Sequence, residues 1–248
     1  VAAACVRIIL GLTNPSGKLA ESIPYSEKDV PSYGYFGRQE EQKNHPDDVA
    51  YRESIFVGYR YYETFEVPVR YCFGYGLSYT QFLYSDLQIR KEPDGKVHIA
   101  FKLENTGAAA GSEVSEVYVK NPDPDAFRAT KELRGFVKTF LHPGEKKTVE
   151  LMLEERAFTV YQNGDFQTIG GIYEIQVGAS VQDIRVSGKI EVAGVNLSSP
   201  LRKSNGVPLS EEDFDMVYKY PHTHFSKQKP GEFTTKNSLV QMQSYSKP

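Results

Sequence analysis

The sequence of 248 residues contains no tryptophan, only two cysteines and no long apolar run. Its longest apolar stretch, Val1 to Leu10, is interrupted by Arg7 and falls short of the roughly 20 residues that a membrane-spanning helix needs. The net charge of −3 argues against electrostatic binding to nucleic acid. Hydrophobic residues at 40% and charged residues at 25% are typical of a soluble globular chain that can bury a sizeable core.

The cysteine content also argues against a disulfide-stapled secreted domain, which would carry more cysteines in a shorter chain. Cys5 and Cys72 lie far apart in apolar surroundings, so we expect two reduced, buried thiols and a cytoplasmic protein. The first residues lack the basic region and the cleavage site of a signal peptide. The start at Val1, without Met, indicates the inside of a helix that began upstream, and hence a segment of a longer protein.

Composition divides the chain into three stretches, 1–84, 85–195 and 196–248. The first holds most of the tyrosines, with Gly and Pro scattered between short apolar runs. The second alternates polar and apolar residues in short bursts between turn signals, as all-β domains do. The third is polar and rich in proline, which predicts a linker or a tail that wraps the surface.

The middle stretch can be read strand by strand. Lys96 to Glu104 places its apolar residues on one face with period two, and Glu92-Pro93-Asp94-Gly95 before it has the chemistry of a turn. The same pattern predicts seven strands in all: Tyr84–Arg90, Lys96–Glu104, Glu113–Lys120, Phe136–Leu141, Lys147–Leu153, Gly171–Val177 and Asp183–Val192. Seven short strands predict a mainly β fold, a two-sheet sandwich of immunoglobulin or fibronectin type III kind.

The first stretch is less regular. Val1 to Leu12 is predicted to be a helix that ends at Gly11, and Ile55 to Tyr62 resembles a strand. So short a stretch, with several loops, cannot easily enclose a core of its own. We therefore expect it to be the trailing part of a larger α/β domain.

Several strings, in their order along the chain, resemble glycoside hydrolase family 3, the β-glucosidase-like enzymes. Those resembling the end of its α/β sandwich domain are Asn14-Pro15-Ser16-Gly17-Lys18-Leu19, the run from Tyr51 to Tyr62, and Phe73-Gly74-Tyr75-Gly76-Leu77-Ser78-Tyr79-Thr80. Those resembling its fibronectin type III-like domain are Glu104-Asn105-Thr106-Gly107, Gly111-Ser112-Glu113-Val114, Lys131-Glu132-Leu133-Arg134-Gly135-Phe136, Leu141-His142-Pro143-Gly144-Glu145 and Gly171-Ile172-Tyr173-Glu174-Ile175. The resemblance covers roughly residues 1 to 195.

The resemblance implies that the intact protein hydrolyses terminal β-linked sugars with retention, using an Asp nucleophile on a barrel and a Glu acid/base. No string of this chain matches either motif, so no catalytic residue is carried over and no cofactor is implied. Substrate, an oligosaccharide or glycoside, would bind through the missing catalytic domains, with no nucleic acid or membrane partner; a homo-oligomer stays open. The alternative is a stand-alone structural or carbohydrate-binding module without enzyme activity.

The chain departs from the family pattern at several positions. Ser54 stands where the family usually has Gly, and Tyr75 stands where it usually has His. Phe158, Tyr161 and Phe166 occupy the neighbourhood where the family has Trp. Aromatic replacements preserve most of the buried area, so we still expect the fold, but the loss of indole faces weakens sugar binding by the sandwich.

Glu53 and Arg60 are the weak candidates for substrate contact. Glu53 follows Arg52 and lies close in sequence to Arg60, which is consistent with an ion pair that holds a loop. The other interpretation is a contact of Glu53 with substrate or with the barrel. The sequence leaves both open.

No metal site is predicted. His222-Thr223-His224 offers two ligands without a third nearby, and Asn121-Pro122-Asp123-Pro124-Asp125 lacks the spacing of a calcium loop. In the tail, Glu212-Asp213-Phe214 and the run from Gly231 to Leu239 are similar to the connector in family members whose barrel follows these domains. That likeness implies that the barrel follows Pro248, whereas the resemblance of residues 1 to 195 does not indicate on which side of this segment the barrel lies.

Overall fold

The computed structural model describes residues 2–33 and 51–218. Within them lie the helices α1 (Ala2–Ile9), α2 (Tyr59–Thr64) and α3 (Glu211–Tyr218). The strands there are β1 (Ile23–Pro24), β2 (Val69–Tyr71), β3 (Phe82–Lys91), β4 (Val97–Asn105), β5 (Gly111–Lys120), β6 (Lys131–Leu141), β7 (Lys146–Leu153), β8 (Thr159–Gln162), β9 (Asp165–Thr168), β10 (Gly171–Gly178) and β11 (Ile184–Val192). Short 3₁₀ turns cover Glu27–Asp29, Glu155–Phe158 and Lys203–Asn205.

Two antiparallel sheets form a β-sandwich. One has the strand order β11-β10-β5-β6 and the other the order β3-β4-β7. These are the seven predicted strands with shifted ends, the largest shift being β6, which begins at Lys131 rather than Phe136. The prediction of a mainly β fold with a fibronectin type III-like sandwich is confirmed.

The sandwich core is built on the period-two pattern of β4. Val97, Ile99, Phe101 and Leu103 all point inward and are at most 1% exposed. They pack against the inward side chains of β5 and β10 in one continuous cluster. Each large apolar side chain so buried stabilises the fold by about 1.5–3 kcal/mol.

A small hairpin, β8–β9, lies between β7 and β10 and was not predicted as strands. Asn163 and Gly164 form its turn and have φ of 53° and 87°. Two positive φ values in a two-residue loop define the type I′ turn, whose twist matches that of paired strands. The hairpin carries Tyr161 and Phe166 with ring centroids 5.2 Å apart.

The segment before the sandwich contains one wrong prediction. The stretch from Ile55 to Tyr62, predicted as a strand, ends in α2. Gly58 has φ 60° and ψ −137°, a conformation that an L side chain rarely adopts, and it links the turn at residues 52–55 to α2. Tyr59 and Tyr62 are then buried on one helical face, three residues apart. By contrast α1 ends as predicted, with Gly11 at φ 71°.

The cysteines are both free, but only one is buried. Cys72 contacts the Ser180 hydroxyl, with Sγ 3.5 Å from Oγ. Cys5 is exposed, contrary to expectation, because α1 buries no residue against the rest of the described chain. None of the described helices has the length and apolarity needed to cross a membrane.

The chain beyond the sandwich folds back toward α2. Leu201 and Leu209 are each 1% exposed and pack with Phe56 and Phe127 in a second core. A bridge between Ala126 and Arg202 fixes its start. His222-Thr223-His224 and the run from Gly231 lie outside the described residues, and the boundaries 84 and 195 stay predictions.

Candidate functional site

The two sequence candidates, Glu53 and Arg60, do not pair with each other. Glu53 is half-buried in the turn before α2, where its carbonyl accepts a hydrogen bond from the Phe56 N–H at 3.0 Å. Arg60 lies on α2 and approaches Glu132 of β6 instead, with Nε 3.6 Å from Oε1. Neither contact resembles a paired acid and base.

Glu132 gathers two further arginines. Its Oε2 lies 2.8 Å from Nη2 of Arg134 and 3.2 Å from Nη2 of Arg128. We refer to Arg60, Arg128 and Arg134 around Glu132 as the arginine cluster. It joins α2, the loop before β6 and β6 itself.

The longest-range polar contact joins the N-terminal segment, residues 2–80, to the sandwich. Lys18 Nζ lies 3.1 Å from Glu113 Oε1 and donates to the Ala179 carbonyl at 2.8 Å. The hydroxyl of Tyr84 donates to the same carboxylate oxygen at 3.1 Å. The Lys18 and Glu113 side chains are 15% and 7% exposed, so this is a buried ion pair with its hydrogen bonds satisfied.

A second buried carboxylate, Glu116, lies along the same strand. It accepts a hydrogen bond from the Tyr118 hydroxyl at 2.5 Å. Burial raises the pKa of Glu116, although that hydrogen bond and the charge of Lys18 oppose the rise. Gly74 lies against it: at φ 80°, a Cβ at position 74 would come within 2.3 Å of the Glu116 carboxylate.

Asn14 fixes the loop that precedes β3. Its Oδ1 accepts from the Tyr79 N–H at 2.7 Å, and its Nδ2 donates to the Ser78 hydroxyl at 3.0 Å. The amide also touches β5, where a Cβ on Gly111 would lie 2.0 Å from Nδ2. Only glycine therefore fits at position 111.

Helix α2 covers the open edge of β6. The Tyr59 hydroxyl accepts from the Leu133 N–H at 2.8 Å, and the Thr64 hydroxyl accepts from the Thr130 N–H at 3.0 Å. Lys131 completes this contact by pairing with Glu63 at 3.3 Å. An edge strand whose donors are so occupied offers little template for pairing with another chain.

Several of the strings that resemble a family thus meet at one interface between the N-terminal segment and the sandwich. Sequence reasoning quoted these strings but gave their charged residues no role. The sequence feature that could have indicated the interface was the ionisable side chains in these strings, such as Lys18, Glu113 and Lys131. The side chains of Glu113 and Glu116 are enclosed by their partners, and the described residues hold no group of three or more His, Cys, Asp or Glu suited to a metal ion.

Comparison with known proteins agrees with this geometry. A family model for the fibronectin type III-like domain matches residues 113–181. The chain is 39% identical over 211 residues to thermostable beta-glucosidase B of Acetivibrio thermocellus, a match covering 83% of this chain and 27% of that protein. It is 38% identical to an exo-alpha-(1->6)-L-arabinopyranosidase of Bifidobacterium longum, over 78% of this chain and 25% of that one.

Solved structures give the same result. A GH3 beta-glucosidase of Bifidobacterium adolescentis superposes with a TM-score of 0.73 at 34% identity, over 80% of this chain and 29% of that one. Beta-glucosidase 3B of Thermotoga neapolitana, solved with glucose, gives 0.70 at 40% identity, over 78% and 27%. The chain spans about a quarter of the length of these proteins.

Proposed function

Since the chain belongs to glycoside hydrolase family 3, we propose that it is a non-catalytic portion of a β-glucosidase-like enzyme. It comprises the fibronectin type III-like domain of that family and a preceding part of the α/β sandwich domain. Its role is to support the catalytic domains of that enzyme. The intact protein would release terminal β-linked sugars with retention of configuration. No residue of this chain is proposed to be catalytic.

The buried Lys18–Glu113 pair is the observation that carries this proposal. A lysine and a carboxylate enclosed together, with a carbonyl and a tyrosine hydroxyl as further partners, hold two segments in one register. Neither charge is open to a substrate. The same holds for Glu116, so the polar groups of this interface serve packing rather than turnover.

The different activities named for the relatives are a second argument that this chain has a structural role. A β-glucosidase and an α-L-arabinopyranosidase match this chain at 39% and 38% identity. The region that they share with this chain therefore does not set which sugar or linkage is cleaved. Sugar specificity would reside in the rest of the protein.

An apolar surface on the N-terminal segment fits the rest of such an enzyme. Ile9, Leu10 and Leu12 are more than half exposed, and with Tyr79 they line an open groove of about 580 Å³. Apolar surface gathered in this way is characteristic of an interaction site. We propose that the preceding part of the α/β domain covers it.

Enzyme assay of the purified 248-residue chain tests the proposal. We expect no release of nitrophenol from a nitrophenyl β-glucoside, whereas a protein that also includes the rest of the α/β domain and a barrel of about 250 residues hydrolyses it. The reading frame on both sides of this segment shows whether such a barrel is encoded. Turnover by the 248-residue chain that is lost in Glu53→Gln would overturn the proposal and would make Glu53 a catalytic residue.

The alternative, a carbohydrate-binding module, would use exposed aromatic rings. Tyr161 and Phe166 on the β8–β9 hairpin are exposed, but the Arg156 guanidinium lies 3.8 Å from the Phe166 ring centroid and covers one face. Calorimetric titration with cello-oligosaccharides separates the two functions. Saturable heat that disappears in Tyr161→Ala would favour the module.

We infer a cytoplasmic location from the cysteines. Both are free, and free thiols persist in a reducing compartment. Substrate would reach the protein as a free glycoside or oligosaccharide. A homo-oligomer is compatible with the exposed apolar surface.

A further inference from the structure

The arginine cluster carries more positive charge than its surroundings balance. Within the described chain, the ion pairs of Arg60, Arg128 and Arg134 all go to Glu132. Three guanidinium groups around one carboxylate leave two positive charges without a partner. The cluster is only partly enclosed, because the Arg128 and Arg134 side chains are 10% and 24% exposed and the Arg60 side chain is 43% exposed.

Donors remain unfilled as well. The Nε of Arg60, Nη1 of Arg128 and Nε of Arg134 are buried and have no hydrogen-bond acceptor in the described part of the protein. A buried donor without an acceptor costs about 1–3 kcal/mol, and more when it is charged. Three such donors, all on arginines that pair with the one carboxylate of Glu132, indicate a missing acceptor.

The backbone conformation around the cluster determines the direction of these side chains. Opposite Val117 and Tyr118 of β5, strand β6 pairs through Gly135 and Leu133, so that Arg134 is an extra residue in a bulge. Bulges re-aim a side chain and are common beside functional sites. Arg60 follows directly on Tyr59, whose hydroxyl binds the Leu133 N–H, and this contact fixes α2 at the cluster.

We propose that the arginine cluster is an oxyanion site that takes a second carboxylate beside Glu132. The planar guanidinium fork matches a carboxylate through two parallel N–H bonds, and Glu132 already shows this chemistry at the site. A second carboxylate would accept from the unfilled nitrogens and offset the excess charge. The two sources of such a carboxylate are a free small acid and an acidic side chain elsewhere in the intact protein. This site is separate from the proposed supporting function and does not depend on it.

Thermal unfolding of the 248-residue chain in malonate tests the site. Malonate is a dicarboxylate, and its two charges equal the two unbalanced ones. At constant ionic strength we expect the melting temperature to rise by at least about 3 °C and to saturate with malonate concentration. Isothermal titration calorimetry should give the same dissociation constant.

Variants separate specific binding from a general salt effect. Arg134→Gln and Arg60→Gln should each lower the malonate affinity at least about tenfold. Arg185→Gln is the matched control, because Arg185 already holds both carboxylate oxygens of Asp183, at 2.6 and 2.8 Å. A rise that does not saturate, or that is equal in wild type and Arg134→Gln, would mean an adventitious ion only and would overturn the proposal.

A longer protein that includes the flanking domains identifies the source of the carboxylate. Malonate stabilisation retained in that protein, and still lost with Arg134→Gln, assigns the site to a diffusible acid. If the longer protein no longer responds and carries an acidic side chain within 4 Å of Arg134 in its crystal structure, the carboxylate is its own. An unresponsive longer protein with no carboxylate there would contradict the proposal.

Discussion

Lys18 stands alone among the lysines of the N-terminal segment in reaching, within the described chain, both a buried carboxylate and a backbone carbonyl of the sandwich. Its ammonium group replaces the water that Glu113 would otherwise keep. Breaking such a pair from one side leaves the other charge buried and uncompensated. The main cost of losing this ion pair is therefore the buried, uncompensated charge of the remaining partner rather than the lost attraction between the two groups.

Lys18→Met should lower the unfolding free energy by about 3–5 kcal/mol, since it leaves the Glu113 carboxylate buried without its cation. Chemical denaturation of the 248-residue chain measures this loss. The double variant Lys18→Met with Glu113→Gln should recover part of it. Lys120→Met is the control, because the Lys120–Glu174 pair is partly exposed and is expected to contribute at most about 1 kcal/mol. Equal losses in the two lysine variants would contradict the assignment.

Glu116 should make folding stability depend on pH. Burial raises its folded-state pKa above the ordinary value of 4.5, so its stabilising contribution is complete below that value and is lost as pH rises through the folded-state pKa. Glu116→Gln cannot ionise, and its amide oxygen can still accept from Tyr118. The unfolding free energy of the variant relative to wild type should therefore increase between pH 4 and pH 7, as measured by urea denaturation.

Glu145→Gln provides a comparison of opposite sign. The His142 N–H and Lys147 lower the pKa of Glu145, so its contribution is present above the ordinary value and is lost as pH falls. Relative to wild type, this variant should lose stability as pH rises from 3 to 6. Parallel pH curves for wild type and both variants would show that neither carboxylate is perturbed.

At the scale of elements, α2 and β6 depend on each other. Tyr59→Phe and Thr64→Val preserve the size of each side chain but leave the Leu133 and Thr130 N–H groups without their acceptors. Each variant should cost about 1–3 kcal/mol of unfolding free energy. Hydrogen exchange of those two amides should also accelerate while the amides at the centre of β5 stay protected.

Tyr161→Phe controls for the loss of a tyrosine hydroxyl at an exposed site. Its unfolding free energy should stay within about 0.5 kcal/mol of wild type. If Tyr59→Phe were equally neutral, the Leu133 N–H would have found water, and α2 would not protect the edge of β6.

The elements differ in how far sequence can predict them. Period-two runs such as Val97–Asn105 have one buried face, so the pattern itself locates them. The strands of the β8–β9 hairpin are four residues long and mostly polar, too short for a pattern. The stretch Ile55–Tyr62 has strand-like composition, but a single positive φ at Gly58 redirects it into a helix. Only the tertiary fold decides between strand and helix for this stretch.

The candidate site was harder to predict because its partners are distant in sequence. Arg60 and Glu132 come together only when α2 docks on β6, and nothing in the local sequence of either residue indicates the other. Proximity in sequence favoured Glu53 as the partner instead. What the sequence could supply was the set of family-like strings, and several of those strings lie at the interface.

For the whole molecule, the described chain has closed apolar cores and an exposed apolar surface on its N-terminal segment. The sandwich core is closed, and a second core fastens the segment around Leu201 and Leu209 to Phe56. The exposed apolar side chains of α1 lie on the same N-terminal segment that contacts the sandwich through Lys18. The N-terminal segment is thus suited to transmit contact between the sandwich and whatever covers α1.

The Lys18 contacts also determine when the N-terminal segment can dock on the sandwich during synthesis. Lys18 is 161 positions away from the Ala179 carbonyl to which it donates. At about 5–20 residues per second, the ribosome makes that partner roughly 8 to 32 seconds after it makes Lys18. Throughout that interval the segment around Lys18 has an unpaired ammonium group and exposed apolar side chains, while the sandwich, whose strands pair mostly with near neighbours, can close as it emerges. During synthesis, protection from proteases and chaperone binding would therefore matter more for the N-terminal segment than for the sandwich.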